Sequence, residues 1–525
     1  AKKDLQTAAT EVTTQATQAA LAAQTTQTAQ AAPASINASG NKEIPFDTKK
    51  SPLSGPDQKK ISDIILKMVD ERLLIKDMDE TGKNMIYLPS LYYSELGTAR
   101  RIKEIISTPS RFSGIDADSL IINIQKECNI TYDEVQIEAI KKAAVTKFMV
   151  LTGGPGTGKT TTTLAIIRVL QKAGGSVLLA APTGRAAKRM TETTGMEAKT
   201  IHRLLEYRPP AGYKRTAENP LLCDVLIIDE TSMVDIVLMY NLLKAIPDTT
   251  IVLLIGDSDQ LPSVGPGNVL KDIIDSGCTE VVRLTRIFRQ AMGSNIILNA
   301  HRINKGEFPI LKSGSDSDFF YIEQEDPEKV VEEIKNLCLH RLPEYFKLDP
   351  LNDIQVLCPM QRGHTGAQNL NLVLQEALNP TDISIKYGTT IFRQNDKVMQ
   401  IKNNYDKNVF NGDIGIIIFI DREDRSLVIR FDNTNVEYDS TELDEVILAY
   451  ATTVHKSQGS EYKVVVAPFT TQHFMMLQRN LLYTCVTRAK KAIVLIGTKK
   501  AIAIAVHNNK SLKRNTRLSD RLSTI

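Results

Sequence analysis

The segment GGPGTGKT at 153–160 constrains this chain more than any other stretch. It carries the spacing G-x-x-x-x-G-K-T, with Gly153, Gly158, Lys159 and Thr160 at the defining positions. The apolar run FMVLT precedes it and the helical pattern TTTLAIIRVL follows it. Strand, glycine loop and helix in that order let backbone N–H groups turn inward around phosphate oxygens. The positive end of the helix strengthens that cradle. Gly154, Pro155, Gly156, Thr157, Gly158, Lys159, Thr160 and Thr161 are therefore the expected nucleotide-binding residues. Lys159 can reach the β- and γ-phosphates, and Thr160 can hold Mg²⁺. A lysine held in such a loop needs an anion as its partner.

A second segment completes the chemistry. VLIIDE at 225–230 is a run of four apolar residues ending in Asp229 and Glu230. An acid at this place completes the Mg²⁺ shell, so Asp229 joins Thr160 as a metal ligand. Glu230 is placed to polarise a water for attack on the γ-phosphate. Two carboxylates and a water favour ATP hydrolysis over transfer to a small acceptor. By itself an Asp-Glu pair could equally cap the next helix; downstream of the phosphate loop the catalytic reading prevails.

FMVLTGG, SVLLAAP, VLIIDE and TIVLLIGD each read as a buried strand followed by a polar or glycine-rich loop. Near-continuous apolar strands separated by helical patterns indicate a parallel sheet in an α/β domain. DIQVLCP, VVVAPF and AIVLIG repeat the style in the second half. From about 389 to 448 the texture changes to short strands joined by Asn-Gly and Asp turns, which reads as a small inserted β-barrel. Near the start, Ile61, Ile64, Ile65 and Met68 fall at helical spacing. LLIKDMDETGKNMIYLP follows as two short strands around Thr81-Gly82, a winged-helix-like arrangement.

Composition sets outer limits. The 525 residues are 42% hydrophobic and 24% charged, as in an ordinary globular protein. The net charge of +3 neither requires nor excludes a nucleic-acid partner, because a basic groove can be offset elsewhere. The six cysteines show no C-x-x-C pair, which fits a reducing, cytoplasmic setting and argues against structural zinc. No apolar run is long enough for a membrane helix. From Gln6 to Ala32, 24 of 27 residues are Ala, Thr or Gln, so a disordered tail is expected over 1–41.

The residues beyond the phosphate loop resemble those of superfamily 1 helicases, and more narrowly the stand-alone RecD-type helicases of bacteria. Gln136, in DEVQIEAI, matches the adenine-reading glutamine. APTGRAAKRM at 181–190 and KTIHRLL at 199–205 match segments that contact single-stranded DNA, pointing to Thr183, Arg185 and His202. GDSDQLPSVGPG at 256–267 offers Gln260 as a γ-phosphate sensor, and LTRIFRQ at 284–290 offers Arg289 as a γ-phosphate contact. ATTVHKSQGSEY at 451–462 offers Thr453, His455 and Lys456 to DNA, and YTCVTRAKK at 483–491 offers Arg488 as an arginine finger. Small polar and basic side chains suit phosphate contacts, and the histidines suit sugar or base stacking.

The resemblance implies two RecA-like parallel-sheet motor domains, a small β-hairpin insertion, an inserted SH3-like β-barrel and a small N-terminal helical, winged-helix-like region. The expected organisation is a tail at 1–41 and a mainly helical domain at 42–129. A first motor domain follows at 130–298, with a duplex-splitting hairpin at about 206–222. The second motor domain is expected at 299–525, with the barrel at about 389–448. Longer members of the family carry helix-hairpin-helix elements where this chain has its Ala/Thr/Gln tail.

The implied function is an ATP- and Mg²⁺-dependent DNA helicase. It would be a monomeric motor moving 5′ to 3′ on single-stranded DNA, acting at single-strand/double-strand junctions beside repair or recombination proteins. The main alternative is a DNA-dependent ATPase subunit of a recombination complex without unwinding of its own. The motor half of a conjugative relaxase is disfavoured, because the seven histidines do not cluster.

Overall fold

A computed structural model describes residues 55–79, 81–288, 293–311, 314, 317–404, 406–509 and 514–523. The expected tail at 1–41 and Arg289 lie outside the described residues. The chain divides into two compact units, Ala1–Leu66 and Lys67–Ile525. Of the first, only the start of the helix Gly55–Asp70 is described.

The second unit begins with an antiparallel hairpin, β1 (Ile75–Met78) and β2 (Asn84–Tyr87). Its turn forms because Asp79 Oδ1 accepts from the N–H groups of Thr81 at 3.0 Å and Lys83 at 2.8 Å. The helix Pro89–Ser107 follows, with a proline in its first turn.

The first parallel sheet comprises β3 (Phe148–Gly153), β4 (Val177–Ala181), β5 (Ala198–Thr200), β8 (Val225–Ile228), β9 (Ile251–Gly256) and β10 (Glu280–Leu284). Their spatial order is β10-β3-β9-β8-β4-β5. The two-residue strands β6 (Tyr207–Arg208) and β7 (Gly212–Tyr213) form the small hairpin between β5 and β8. The strands read as unbroken apolar runs because both faces are covered. Phe148, Val150, Leu226, Ile228, Val252 and Leu254 point into one core. Met149, Leu151, Val225, Ile227, Leu253 and Ile255 point into the opposite one. Successive side chains of a strand alternate between faces, so continuous hydrophobicity is the signature of burial on both.

A second parallel sheet has the order β11-β22-β21-β12-β20. It is built from β11 (Phe319–Glu323), β12 (Ile354–Cys358), β20 (Ala451–Thr453), β21 (Tyr462–Phe469) and β22 (Ala489–Gly497). The same alternation sends Val464, Val466, Val494 and Ile496 to one side. Val465, Ala467, Ile493 and Leu495 go to the other.

Between β12 and β20 lies the β-rich insertion. The hairpin β13 (Ser384–Tyr387) and β14 (Thr390–Arg393) precedes a five-stranded antiparallel sheet. That sheet contains β15 (Lys397–Gln400), β16 (Ile414–Asp421), β17 (Ser426–Phe431), β18 (Thr434–Tyr438) and β19 (Val446–Leu448). A bulge between Ile417 and Phe419 breaks the β16–β17 register, as strongly curved small sheets require. Ile417, Ile429 and Tyr438 share the core cluster of the second parallel sheet, which seats the insertion on it.

The C-terminal segment returns to the first sheet. Leu518 and Leu522 are buried in the core that holds Ala99, Ile102 and Leu242. Arg514 Nη1 donates to the carbonyls of Gly265 and Gly267, each at 2.6 Å. Arg521 spans Asp77 at 2.7 Å and Glu95 at 2.9 Å. Among the described residues, no helix is long and apolar enough to cross a membrane.

Candidate nucleotide and nucleic-acid site

The phosphate loop leaves the carboxyl end of β3 and enters the helix Lys159–Lys172. Two glycines there are sterically required. A Cβ on Gly153 would lie 2.7 Å from the Leu284 carbonyl oxygen. Gly158 has φ +80, and its Cβ would lie 2.7 Å from Gln136 Nε2. Lys159 Nζ bends back on the loop, donating to the carbonyl of Gly153 and, at 3.2 Å, to that of Gly154. Two carbonyl dipoles hold this ammonium within the loop, facing the cavity where an anion would bind.

Asp229 and Glu230 emerge from the end of β8, directly across from the loop. Burial, then the neighbouring Glu230 carboxylate, push the Asp229 carboxyl upward, and Lys159 and Arg189 partly oppose that shift. Glu230 holds a left-handed backbone with φ 50, uncommon for a residue with a side chain. The Asp229 carboxylate accepts the Glu230 N–H at 2.8 Å, which stabilises this turn.

These groups line one cavity of about 300 Å³. Gly154, Pro155, Gly156, Thr157, Gly158, Lys159 and Thr160 form its floor, and Asp229, Glu230, Gln260 and Arg488 its walls. Thr160 and Asp229 supply a hydroxyl and a carboxylate. No cluster of three or more His, Cys, Asp or Glu side chains suited to a metal occurs among the described residues. A two-ligand oxygen set fits Mg²⁺ completed by phosphate oxygens and water.

Residues from the second sheet close the cavity. Arg488 ends the helix Arg479–Thr487 and is buried. Its Nη2 donates to Gln260 Oε1 at 2.8 Å, and its Nη1 to the Ser460 carbonyl at 3.1 Å. Its Nε–H is buried with no hydrogen-bond partner. Tyr483 Oη donates to Asp257 Oδ2 at 2.7 Å, and Gln260 Nε2 reaches the same oxygen at 3.2 Å. Burial and the Asp257 charge hold the Tyr483 phenol far above its ordinary range, so it stays a donor. Gln458 Nε2 donates to the Leu261 carbonyl at 2.8 Å, and Thr484 Oγ1 accepts from the Leu261 N–H at 3.0 Å. The loop after β9 is thus hydrogen-bonded from the second sheet's side at Asp257, Gln260 and Leu261.

Gln136 and Thr161 do not line this cavity. Gln136 is buried behind the loop, in a capping box with Asp133, and its Nε2 donates to Thr162 Oγ1 at 3.1 Å. That leaves one amide hydrogen for a ligand.

The expected DNA-contacting residues lie at or after other strand ends. Thr183 follows β4, His202 follows β5, and Thr453 ends β20, all at carboxyl ends of parallel strands. Thr183 caps the helix Gly184–Thr194 through the Ala186 N–H at 3.2 Å. Arg185 Nη1 donates to Ser460 Oγ at 2.7 Å. His202 packs against Tyr207 and Tyr213 of the small hairpin, with ring centroids 5.7 and 6.1 Å away. Burial lowers the basicity of His202, His455 and Lys456. Nucleotide-facing groups therefore cluster around β3, β8 and β9, and this second set lies at β4, β5 and β20.

Sequence comparison assigns the family. An AAA domain matches residues 136–266, an ATP-dependent RecD-like DNA helicase SH3 domain residues 370–431, and a UvrD-like helicase C-terminal domain residues 448–496. The RecBCD enzyme subunit RecD of Mycolicibacterium smegmatis is 30% identical over 74% of this chain and 75% of that protein. The chain belongs to the RecD-like helicase family. The ATP-dependent RecD2 DNA helicase of Deinococcus radiodurans is 36% identical over 86% of this RecD-like chain. The match spans 61% of that longer protein. A Pif1 helicase from Bacteroides, solved with ADP-AlF3 and ssDNA, aligns over 70% of this chain and 92% of its own at 19% identity and TM-score 0.42.

Several residues of the RecD-like site carry no prior expectation. Thr163, Arg189, Asp257 and Glu461 also line the cavity. Arg189 stands four residues beyond Arg185, one helical turn away on the same face. Glu461 lies in the quoted run HKSQGSEY. Their roles depend on which strands lie side by side, which local spacing does not encode.

Proposed function

We propose that this chain is an ATP-driven DNA helicase that moves 5′ to 3′ along single-stranded DNA and splits duplex ahead of it. The observation that carries the reading is Arg488 of the second sheet reaching Gln260 of the first above the phosphate loop. A γ-phosphate bound at Lys159 would present negative charge to both groups. Loss of that charge on hydrolysis removes what draws the sheets together.

Lys159 and the loop amides bind and orient the phosphates. Thr160 and Asp229 would hold Mg²⁺, which supplies charge neutralisation when bound. Glu230 accepts the proton of the attacking water, and Arg488 stabilises charge on the transferring group. Gln136 reads the base through its remaining amide hydrogen. Thr183, Arg185, His202, Thr453, His455 and Lys456 grip the strand from both sheets. Alternating grips convert cleft closure into a step.

Names of relatives support a second reading. Several are RecD subunits of the RecBCD enzyme. A subunit would hydrolyse ATP on DNA yet unwind only with its partners. Strand displacement on duplexes carrying a 5′ or a 3′ single-stranded tail, with ATP and Mg²⁺, separates the cases. Unwinding of the 5′-tailed duplex alone is expected. A 3′ preference overturns the direction. DNA-stimulated hydrolysis without unwinding of either supports the subunit reading.

A further inference from the structure

The nucleotide cavity shares a wall with a larger one of about 920 Å³. That second cavity is bounded by the helix Gly184–Thr194, the antiparallel sheet and the segment after β20. Among the described residues, Arg189 and Glu461 alone line both. They form an ion pair at 2.5 Å, so the wall between the cavities contains a charge pair joining the two halves of the motor. Arg189 comes from a helix of the first parallel sheet, and Glu461 precedes β21 of the second.

The surroundings make this pair a junction. Lys490 approaches Glu461 at 3.2 Å from its own side. Ser460, one residue earlier, accepts from Arg185 at its hydroxyl and from Arg488 at its carbonyl. Residues 460 and 461 are therefore held by two arginines of the helix that Thr183 caps, and by the arginine that contacts Gln260. A nucleotide-dependent shift of Arg488 must be felt at Ser460, and from there at that helix.

We propose that Arg189 and Glu461 are positioning residues that latch the two sheets in the closed state and couple strand contact at the helix Gly184–Thr194 to hydrolysis; this rests on the motor reading given above. An exposed ion pair within one rigid body contributes little to stability. Across a cleft that opens and closes, the same pair is made in one state and broken in the other. Its free energy then acts on the closing equilibrium rather than on folding.

The test is a double-mutant cycle: wild type, Arg189→Glu, Glu461→Arg and the double reversal. Each is assayed for steady-state ATP hydrolysis with and without an oligothymidylate strand. Each also carries one donor and one acceptor dye on exposed positions of the two sheets, to report closure on adding a non-hydrolysable ATP analogue. Each single reversal is expected to reduce DNA-stimulated kcat by about tenfold and to weaken closure, with KM for ATP moved less than kcat. The double reversal is expected to regain most of both.

Single variants that behave as wild type, or a double variant no better than the worse single, overturn the proposal. Wild-type hydrolysis that ignores the oligonucleotide refutes the motor reading. The dye cycle still decides the latch in that case, because it needs only the nucleotide analogue.

Discussion

Arg488 and Gln260 join the two parallel sheets through a 2.8 Å hydrogen bond at the wall of the phosphate cavity. Gln260 is simultaneously bound to Asp257, which accepts from Tyr483. The fingertip of one half therefore rests on a hydrogen-bond chain anchored in both. Its Nε–H, buried without a partner, is a donor that a phosphate oxygen could satisfy.

Replacing Arg488 by Ala should lower kcat for ATP by about 10²- to 10³-fold, the size of a lost charge-stabilising donor. Nucleotide affinity, read by fluorescent-nucleotide titration, should change far less. Equal losses in both would show that Arg488 binds the ground state and the transition state alike.

Lys159→Ala should abolish measurable hydrolysis while circular dichroism and the melting temperature stay near wild type. Among the described residues the side chain hydrogen-bonds to loop carbonyls alone, and it is absent from the hydrophobic core. Substantial residual turnover would contradict its place under the phosphates.

Shortening the hairpin tip between Tyr207 and Tyr213 should separate two activities. DNA-stimulated hydrolysis is expected to persist, because none of residues 207–213 lines the nucleotide cavity. Strand displacement on a forked duplex should fall sharply. Unimpaired unwinding would remove the hairpin from the separation step.

Asp272 gives a pH signature. Burial chiefly pushes its carboxyl up to about 7, with the Glu95 and Asp275 charges adding, against the Thr516 hydrogen bond. A carboxyl whose folded pKa is raised contributes stability below its ordinary value, and loses it as pH rises through about 7. Asp272→Asn should therefore raise the melting temperature most at pH 8 and progressively less as pH falls through 7 towards 4. The opposite order in thermal unfolding would show that the ionised form is the stabilising one.

Much of this architecture was legible in the sequence because it is local. FMVLT, VLIIDE and TIVLLIGD each state burial on two faces, and GGPGTGKT states the loop between strand and helix. The cavity floor followed from that one stretch. Gln136 shows where such reading stops: spacing places it on a helix, while only packing puts it behind Gly158. Arg189 and Glu461 show the larger gap. Each is unremarkable in its own segment, and they meet only because β4 and β20 bring distant segments to one cleft. The second sheet's hold on the loop after β9 was equally hidden, since Gln458 and Thr484 are ordinary polar residues until Leu261 lies beside them.

The returning C-terminal segment sets a length limit on motion. Asn508 is bonded to Leu477 of the second sheet's surroundings, and Arg514 to the loop after β9. The six residue steps from Asn508 to Arg514 can extend to at most about 22 Å. While Arg514 keeps its carbonyl partners, chain length alone therefore caps how far Asn508, and the Leu477 carbonyl bonded to it, can lie from the loop after β9.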